Sequence, residues 1–121
     1  MDAPRKQSIL VTGCAGFIGG NFVREFKRRF PKIAIIGLDN FSTGRRDALS
    51  SGITMYEGSI TDEALTERIF KKHKPEHVFH FAALPSVAYS VEHPYETTVV
   101  NTAGTARLLE LSARYGTKRF I

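Results

Sequence analysis

Three glycines, Gly13, Gly16 and Gly19, follow an apolar run and open an amphipathic stretch. This arrangement leaves few folds open, because it predicts a buried strand, a tight turn and the start of a helix. The N-terminus of a helix presents free N–H groups and a positive dipole end, which suit a pyrophosphate. The spacing G-x-x-G-x-x-G is one residue wider than the usual dinucleotide fingerprint, so a glycine-rich turn that binds nothing stays open as an alternative.

Strand-like and helix-like stretches alternate along the whole chain. Apolar runs of strand length occupy residues 8–13, 32–40, 52–58 and 76–83, and a fifth begins at residue 118. Between them, apolar residues recur at helical spacing over residues 17–30, 62–72 and 94–115. This alternation implies parallel strands joined by right-handed crossovers. The sequence therefore predicts an α/β fold, a doubly wound Rossmann-type parallel sheet with strand order 3-2-1-4-5, in one domain of residues 1–121.

An acidic residue closes the second predicted strand. Asp39 lies twenty residues after Gly19, where a carboxylate would bind the ribose hydroxyls of an adenine dinucleotide. Asn40, rather than an arginine, follows it, so nothing obvious would receive the 2′-phosphate of NADP. The sequence predicts NAD as the cofactor, while Arg45 and Arg46 keep NADP open as an alternative.

Charge and composition exclude several classes of function. The formal net charge is +5, but the cations fall on predicted helix faces and C-terminal ends without stacking aromatics, so we expect no nucleic-acid partner. No apolar run reaches the ~18 residues of a membrane span, and we expect no membrane partner. The four histidines lack a metal-ligand spacing, so no metal site is predicted. The single cysteine excludes an internal disulfide, and with no targeting segment recognisable we expect a cytoplasmic protein.

Two side chains have both a chemical and a packing interpretation. Cys14 stands at a helix start, where a thiolate would be favoured, but the preferred interpretation is a small packing residue beside the glycine turn. His80 lies on a buried strand, and we expect a packed, hydrogen-bonded residue there rather than a catalyst.

Five sequence blocks carry a resemblance to a known family. They are "VTGCAGFIGG", "LDNFSTGRR", "HVFHFAALPSV", "SVEHP" and "VNTAGTARLLELS", in that order and at natural spacing. Together they resemble the N-terminal half of the extended short-chain dehydrogenase/reductase family, and most closely its UDP-sugar 4-epimerases of the UDP-galactose and UDP-N-acetylglucosamine type. The related nucleoside-diphosphate-sugar 4,6-dehydratases usually carry an acidic residue and a histidine where this chain has Leu84-Pro85-Ser86.

The resemblance implies a site for NAD and for a UDP-sugar substrate. The glycine turn with Phe17 and Ile18 would hold the pyrophosphate, and residues 39–44 would surround the adenosine ribose. The implied cofactor-binding residues are Gly13, Gly16, Phe17, Ile18, Gly19, Asp39, Asn40, Phe41, Ser42, Thr43, Gly44, Ser59, Ile60, Phe81, Ala82, Ala83 and Asn101. Ser86 and Val87 would approach the sugar nucleotide.

The chain departs from the family pattern in three places. Ser59 stands where an aspartate normally meets the adenine amino group, at an expected cost of about 1 kcal/mol. Pro85 stands where several epimerases have a lysine. No tyrosine is followed by lysine four positions later, so the family's catalytic Tyr-x-x-x-Lys pair is missing and no catalytic residue is assigned.

By this resemblance, we expect a Rossmann domain that is truncated after its fifth strand and lacks the substrate domain. Because the catalytic pair is missing, we expect the chain to be inactive alone. The sequence leaves open whether the chain is part of an epimerase, part of a dehydratase, or a stand-alone NAD-binding or assembly module. It also leaves open which nucleotide sugar a longer relative would take. In the family the long helix of residues 94–115 joins subunits, so we expect a homo-oligomer.

Overall fold

A five-stranded parallel sheet forms the centre of the computed structural model, which describes residues 6–121 apart from the side chain of Ala48. The strands run in the order β3-β2-β1-β4-β5, and every neighbouring pair is parallel. Their bounds are β1 (Ser8–Thr12), β2 (Ala34–Asp39), β3 (Thr54–Glu57), β4 (His77–His80) and β5 (Arg119–Phe120). The predicted α/β architecture and strand order are confirmed.

Helices cover both faces of the sheet. They are α1 (Phe17–Arg29), α2 (Glu63–His73), α3 (Val87–Glu92), α4 (Pro94–Thr98) and α5 (Thr105–Arg114), with a 3₁₀ turn at Arg46–Ala48. Helix α2 begins at the predicted place because Asp62 Oδ1 accepts a hydrogen bond from Leu65 N at 3.0 Å, which caps its N-terminus.

Three features differ from the sequence prediction. The helix predicted over residues 94–115 contains a π-helical segment, Val99–Gly104, which joins α4 to α5 without leaving helical backbone angles. Helix α3 was not predicted, although Ser86 Oγ caps it by accepting from Tyr89 N at 3.1 Å. Strand β4 also ends at His80, three residues earlier than predicted. Phe81 N still donates to Thr12 O of β1 at 3.1 Å, but Ala82 N donates to the Thr12 side chain instead of the backbone.

The core consists of one apolar layer on each face of the sheet. On one face, α1 packs its Phe22 and Val23 against alternate residues of β1 and β2, such as Ile9 and Ile35. On the other face, α2 and α5 cover the opposite set of sheet residues, including Leu10 and Val78. All five residues of β1 are buried because this central strand is covered on both sides, which explains the uninterrupted apolar run from Ile9 to Val11.

No helix within residues 6–121 has both the length and the apolar character needed to cross a membrane. The predicted absence of a targeting segment concerns an N-terminus whose residues 1–5 lie outside the described part of the chain.

Candidate functional site

The glycine turn after β1 is held by backbone contacts that leave no room for side chains. Gly13 has a φ of +68°, and a Cβ there would lie 2.8 Å from Ala82 N. A Cβ on Gly19 would lie 2.0 Å from the Gly13 carbonyl oxygen, because α1 starts directly against the turn. At Gly16, which is the N-cap of α1, the same Cβ would lie 3.3 Å from that oxygen. Gly13 and Gly19 are therefore required for packing, whereas Gly16 mainly keeps the approach to the helix N-terminus open.

The N-terminus of α1 has donors to offer an anion. Within residues 6–121, no acceptor is within hydrogen-bonding geometry of the N–H groups of Phe17 and Ile18. Both residues line the cavity and are 88% and 66% exposed, respectively. Free N–H groups at a helix N-terminus fit the phosphates of a dinucleotide.

Cys14 is a packing residue, as the preferred sequence interpretation holds. Its side chain is buried, and its Sγ lies 3.4 Å from Met55 Sδ beneath the turn. Burial, reinforced by the nearby Asp39 carboxylate, raises the pKa of the thiol to about 12. The thiolate alternative is thereby disfavoured.

Asp39 is fixed by two backbone donors at the carboxyl end of β2. Its Oδ2 accepts from Ala15 N at 2.9 Å, and its Oδ1 accepts from Phe41 N at 2.7 Å. The first bond ties the carboxylate to the glycine turn, and the second ties it to the following loop. Each carboxylate oxygen keeps a further lone pair, so the oriented group can still accept from two hydroxyls.

The hydroxyl of Ser59, the residue predicted to flank the adenine, is largely engaged in hydrogen bonds within a local turn. Its Oγ accepts from Thr61 N at 3.1 Å and shares a hydrogen bond of 2.7 Å with Thr61 Oγ1. The hydroxyl therefore has at most one lone pair left for a ligand.

A chain of hydrogen bonds fixes the ring of His80 between β1 and α5. Thr105 donates its hydroxyl to the Asn101 carbonyl at 2.8 Å, so its oxygen accepts from His80 Nε2 at 2.8 Å. The proton is thus on Nε2, and Nδ1 accepts from the Thr12 hydroxyl at 2.6 Å. Thr12 Oγ1 in turn accepts from Ala82 N at 3.1 Å. Burial lowers the pKa of His80, which agrees with this neutral form and with the predicted packed role.

Asn101 lies in the π-helical segment and binds backbone rather than the cavity. Its Oδ1 accepts from Leu84 N at 2.7 Å, and its Nδ2 donates to Leu84 O at 3.0 Å. This pair of bonds holds the loop that follows β4. Asn101 is not among the residues that line the cavity, and its assignment as a cofactor-binding residue stays a prediction.

A single cavity of about 1010 Å³ brings most of the predicted residues together at the carboxyl ends of the strands. Its walls include Gly13, Gly16, Phe17, Ile18, Gly19, Asp39, Asn40, Ser42, Thr43, Ser59, Ile60, Phe81, Ala82, Ala83 and Ser86. Four predicted residues do not line it, namely Phe41, Gly44, Val87 and Asn101. Gly44 instead packs on Ala15, where a Cβ would lie 2.9 Å from the carbonyl carbon.

The cavity also has a wall that the sequence interpretation missed. Tyr89 of α3 and Tyr95 and Glu96 of α4 line it, with Val99 and Val100 of the π-helical segment. Tyr89 donates to Glu96 Oε2 at 2.6 Å, and this bond raises the pKa of the tyrosine hydroxyl. The cap Ser86 and the N-terminal Pro94 were the available sequence signs of these two helices.

No group of three histidine, cysteine, aspartate or glutamate side chains comes together as a metal site among the residues that the structure describes.

Comparison with known proteins gives a consistent set of similarities. The profile of the NAD dependent epimerase/dehydratase family matches residues 9–121. UDP-glucuronate 4-epimerase 3 of Arabidopsis thaliana is 39% identical over 113 residues, covering 86% of this chain and 26% of the relative. UDP-glucose 4-epimerase of Halalkalibacterium halodurans is 37% identical over 114 residues, covering 94% of this chain and 33% of the relative. The chain thus spans a quarter to a third of the length of these relatives.

Solved structures show the same fold. The UDP-glucose 4-epimerase of Thermotoga maritima, solved with UDP-glucose, superposes with a TM-score of 0.90 at 45% identity, over 94% of this chain and 36% of that one.

Proposed function

We propose, from the premise that this chain belongs to the NAD dependent epimerase/dehydratase family, that it is the NAD-binding part of a UDP-sugar 4-epimerase. NAD is the cofactor of the family, as the sequence predicts. The observation that carries the proposal is one cavity that joins the free N–H groups of Phe17 and Ile18 to the oriented Asp39 carboxylate. These two features suit the two ends of an adenosine diphosphate group.

The residues present fit NAD. Phe17 and Ile18 would donate to the pyrophosphate, Asp39 would accept from the ribose hydroxyls, and Phe81–Ala83 would border the nicotinamide. The absence of a side chain at Gly16 leaves the helix N-terminus accessible to a phosphate. When bound, NAD supplies a transient hydride acceptor. The task of this chain is to bind and orient that cofactor and to exclude water from one side of it.

The UDP-sugar part of the proposal rests on the relatives and on the cavity wall that α3, α4 and the π-helical segment form. Ser86 and Tyr89 line the same cavity and follow Phe81–Ala83, which are proposed to border the nicotinamide, in the sequence. Ser86 Oγ is occupied as the α3 cap, so it would contribute position more than hydrogen bonding. The relatives include epimerases of both UDP-glucose and UDP-glucuronate, so the proposal extends to the class of UDP-hexoses.

Replacement of Gly16 by valine tests the cofactor site. A branched side chain at the N-cap would obstruct the phosphate, while its nearest contact, 3.3 Å from the Gly13 oxygen, lets the fold survive. We expect NAD affinity to fall at least about tenfold in calorimetric titration with an unchanged circular dichroism spectrum.

Ala113→Val is the matched control, since it places the same valine side chain at an exposed position of α5 that does not line the cavity. It should leave NAD affinity unchanged. Equal NAD affinity in Gly16→Val and the unchanged protein would contradict the proposed site.

A further inference from the structure

Two acidic residues end neighbouring strands at the adenosine side of the cavity. Asp39 of β2 and Glu57 of β3 are register partners in the parallel sheet, so both side chains lie on the same face, the one that α1 covers. Asp39 lines the cavity, and Glu57 directly precedes Gly58, which also lines it. Glu57 therefore stands one strand beyond the carboxylate that is proposed to read the ribose.

Arg46, in the loop that follows β2, is already paired with Glu57. Arg46 Nη2 lies 2.5 Å from Glu57 Oε1, and its guanidinium carbon lies 4.2 Å above the ring of Phe41. Phe41 has a φ of +59°, which is unusual for a bulky residue, and it does not line the cavity. The ring and the carboxylate together hold the guanidinium, and Arg46 is not among the residues that line the cavity.

The second arginine of the loop is also paired. Arg45 Nη2 lies 2.9 Å from Asp47 Oδ2, while its backbone N–H donates to Ala15 O at 3.0 Å. Each arginine that left NADP open in the sequence thus has a carboxylate of its own. Of the two acids, Glu57 is the one beside Asp39.

We propose that Glu57 is a specificity-determining residue that rejects NADP by binding Arg46. A 2′-phosphate on the adenosine ribose would need a cation beside Asp39, and arginine is well suited to bind it bidentately. Glu57 occupies that guanidinium and adds a second negative charge near the ribose. This inference rests on the proposed function, because it requires the adenosine part of a dinucleotide at Asp39.

Glu57→Gln tests the proposal because it keeps the size of the side chain and removes its charge. The dissociation constants of NAD and NADP are measured by calorimetry for each protein. We expect the ratio of NADP to NAD affinity to rise about threefold to tenfold in Glu57→Gln. The gain should shrink in 0.5 M salt, since both groups are exposed. The double variant Glu57→Gln/Arg46→Gln should lose most of the gain, because the released cation is gone.

Glu25→Gln is the matched control. Glu25 also pairs with arginines, Arg28 and Arg29, and its replacement changes the net charge equally, but it lies on α1 away from the cavity. Its affinity ratio should equal that of the unchanged protein.

Three results would overturn the inference alone, given NAD binding by the unchanged protein. They are an unchanged ratio in Glu57→Gln, a gain that persists fully in the double variant, and an equal gain in Glu25→Gln. Failure of the unchanged protein to bind either nucleotide would overturn the proposed function, and this inference with it.

Discussion

His80 shows how a single side chain can be fixed in one protonation state by its neighbours. The Thr105 hydroxyl has its proton committed to the Asn101 carbonyl, so only the Nε2–H tautomer satisfies both ring nitrogens. Protonation of Nδ1 would set two donors against each other, unless the Thr12 hydroxyl turned away. The bond from Ala82 N to Thr12 links this ring to the cavity wall.

The lowered pKa values of two histidines predict that stability depends on pH. Burial lowers the pKa of His80 and of His73 below the ordinary value of 6.5, so just below that pH the unfolded chain binds more protons than the folded one. The free energy of unfolding, measured by urea titration, should therefore fall as the pH drops below 6.5. Glutamates with a lowered pKa, such as Glu25, lose their contribution only below about 4.5.

In His80→Gln the slope in this window should decrease, and His73→Gln should remove a separate part of it. An unchanged slope in both variants would contradict the assignment. The tautomer itself is measured in the unchanged protein by ¹⁵N NMR, where a proton on Nδ1 at pH 7.5 would be equally contrary.

The π-helical segment between α4 and α5 is the element that connects the helices to the cavity wall. It carries Asn101, whose amide binds both backbone groups of Leu84. Its last residue, Gly104, packs so closely on Ile60 that a Cβ would lie 2.7 Å from Ile60 Cδ1. Segments of this kind often occur at functional sites, and here the segment positions the loop after β4.

Asn101→Ala should loosen that loop. Leu84 would lose partners for its N–H and its carbonyl, at an expected cost of about 1–3 kcal/mol in the free energy of unfolding. Hydrogen exchange at the Leu84 amide should become faster. Asn101→Asp keeps the acceptor for Leu84 N but turns a carboxylate oxygen toward Leu84 O, so it should restore only part of the amide protection. Equal exchange rates in Asn101→Ala and the unchanged protein would show that the amide contact does not hold the loop.

At the scale of the whole molecule, three exposed features of the described residues favour contact with another chain. Strand β5 lies at one edge of the sheet. On α5, Leu108 and Leu111 are fully buried, but Leu109 remains 47% exposed. Val87, Val91 and Tyr95 add apolar exposure near the cavity, each at 75% or more. Exposed strand edges and apolar faces favour association.

We therefore expect a dimer or a higher oligomer in solution. Multi-angle light scattering at tens of micromolar should give a mass of at least about twice that of the 13.5 kDa chain. Leu109→Lys should shift the distribution toward monomer if α5 forms the contact, whereas Leu108 is buried and offers no such test. A single species of monomer mass would contradict the prediction.

We also expect the 121-residue chain alone to have no epimerase activity. The sequence has no tyrosine–lysine pair at the family spacing. Tyr89, one of the tyrosines that line the cavity, has the pKa of its hydroxyl raised by the hydrogen bond to Glu96, which is opposite to what a proton-abstracting base needs. Assays with UDP-glucose, UDP-galactose and UDP-glucuronate in the presence of NAD should give no product above background. Turnover that co-purifies with the chain would contradict this expectation.

Local sequence patterns were sufficient for the architecture and for much of the cavity. The alternation of apolar runs and helical periodicity predicted the strand order, because parallel strands with helical crossovers allow few arrangements. Gly13, Gly19 and Asp39 were identifiable because a turn, a close helix–strand contact and a strand end each depend on residues near in sequence.

Only the tertiary structure decided which side chains line the cavity and which make contacts elsewhere within the protein. Asn101 contacts Leu84, seventeen residues away in the sequence. Arg46, in the connection between β2 and β3, contacts Glu57 at the end of β3. A side chain's partner is set by the distances between packed elements, which residue spacing does not encode. For the same reason, residue type alone does not give the protonation state of Cys14 or the tautomer of His80. Burial keeps the Cys14 thiol protonated, and hydrogen bonds in the folded molecule select the His80 tautomer.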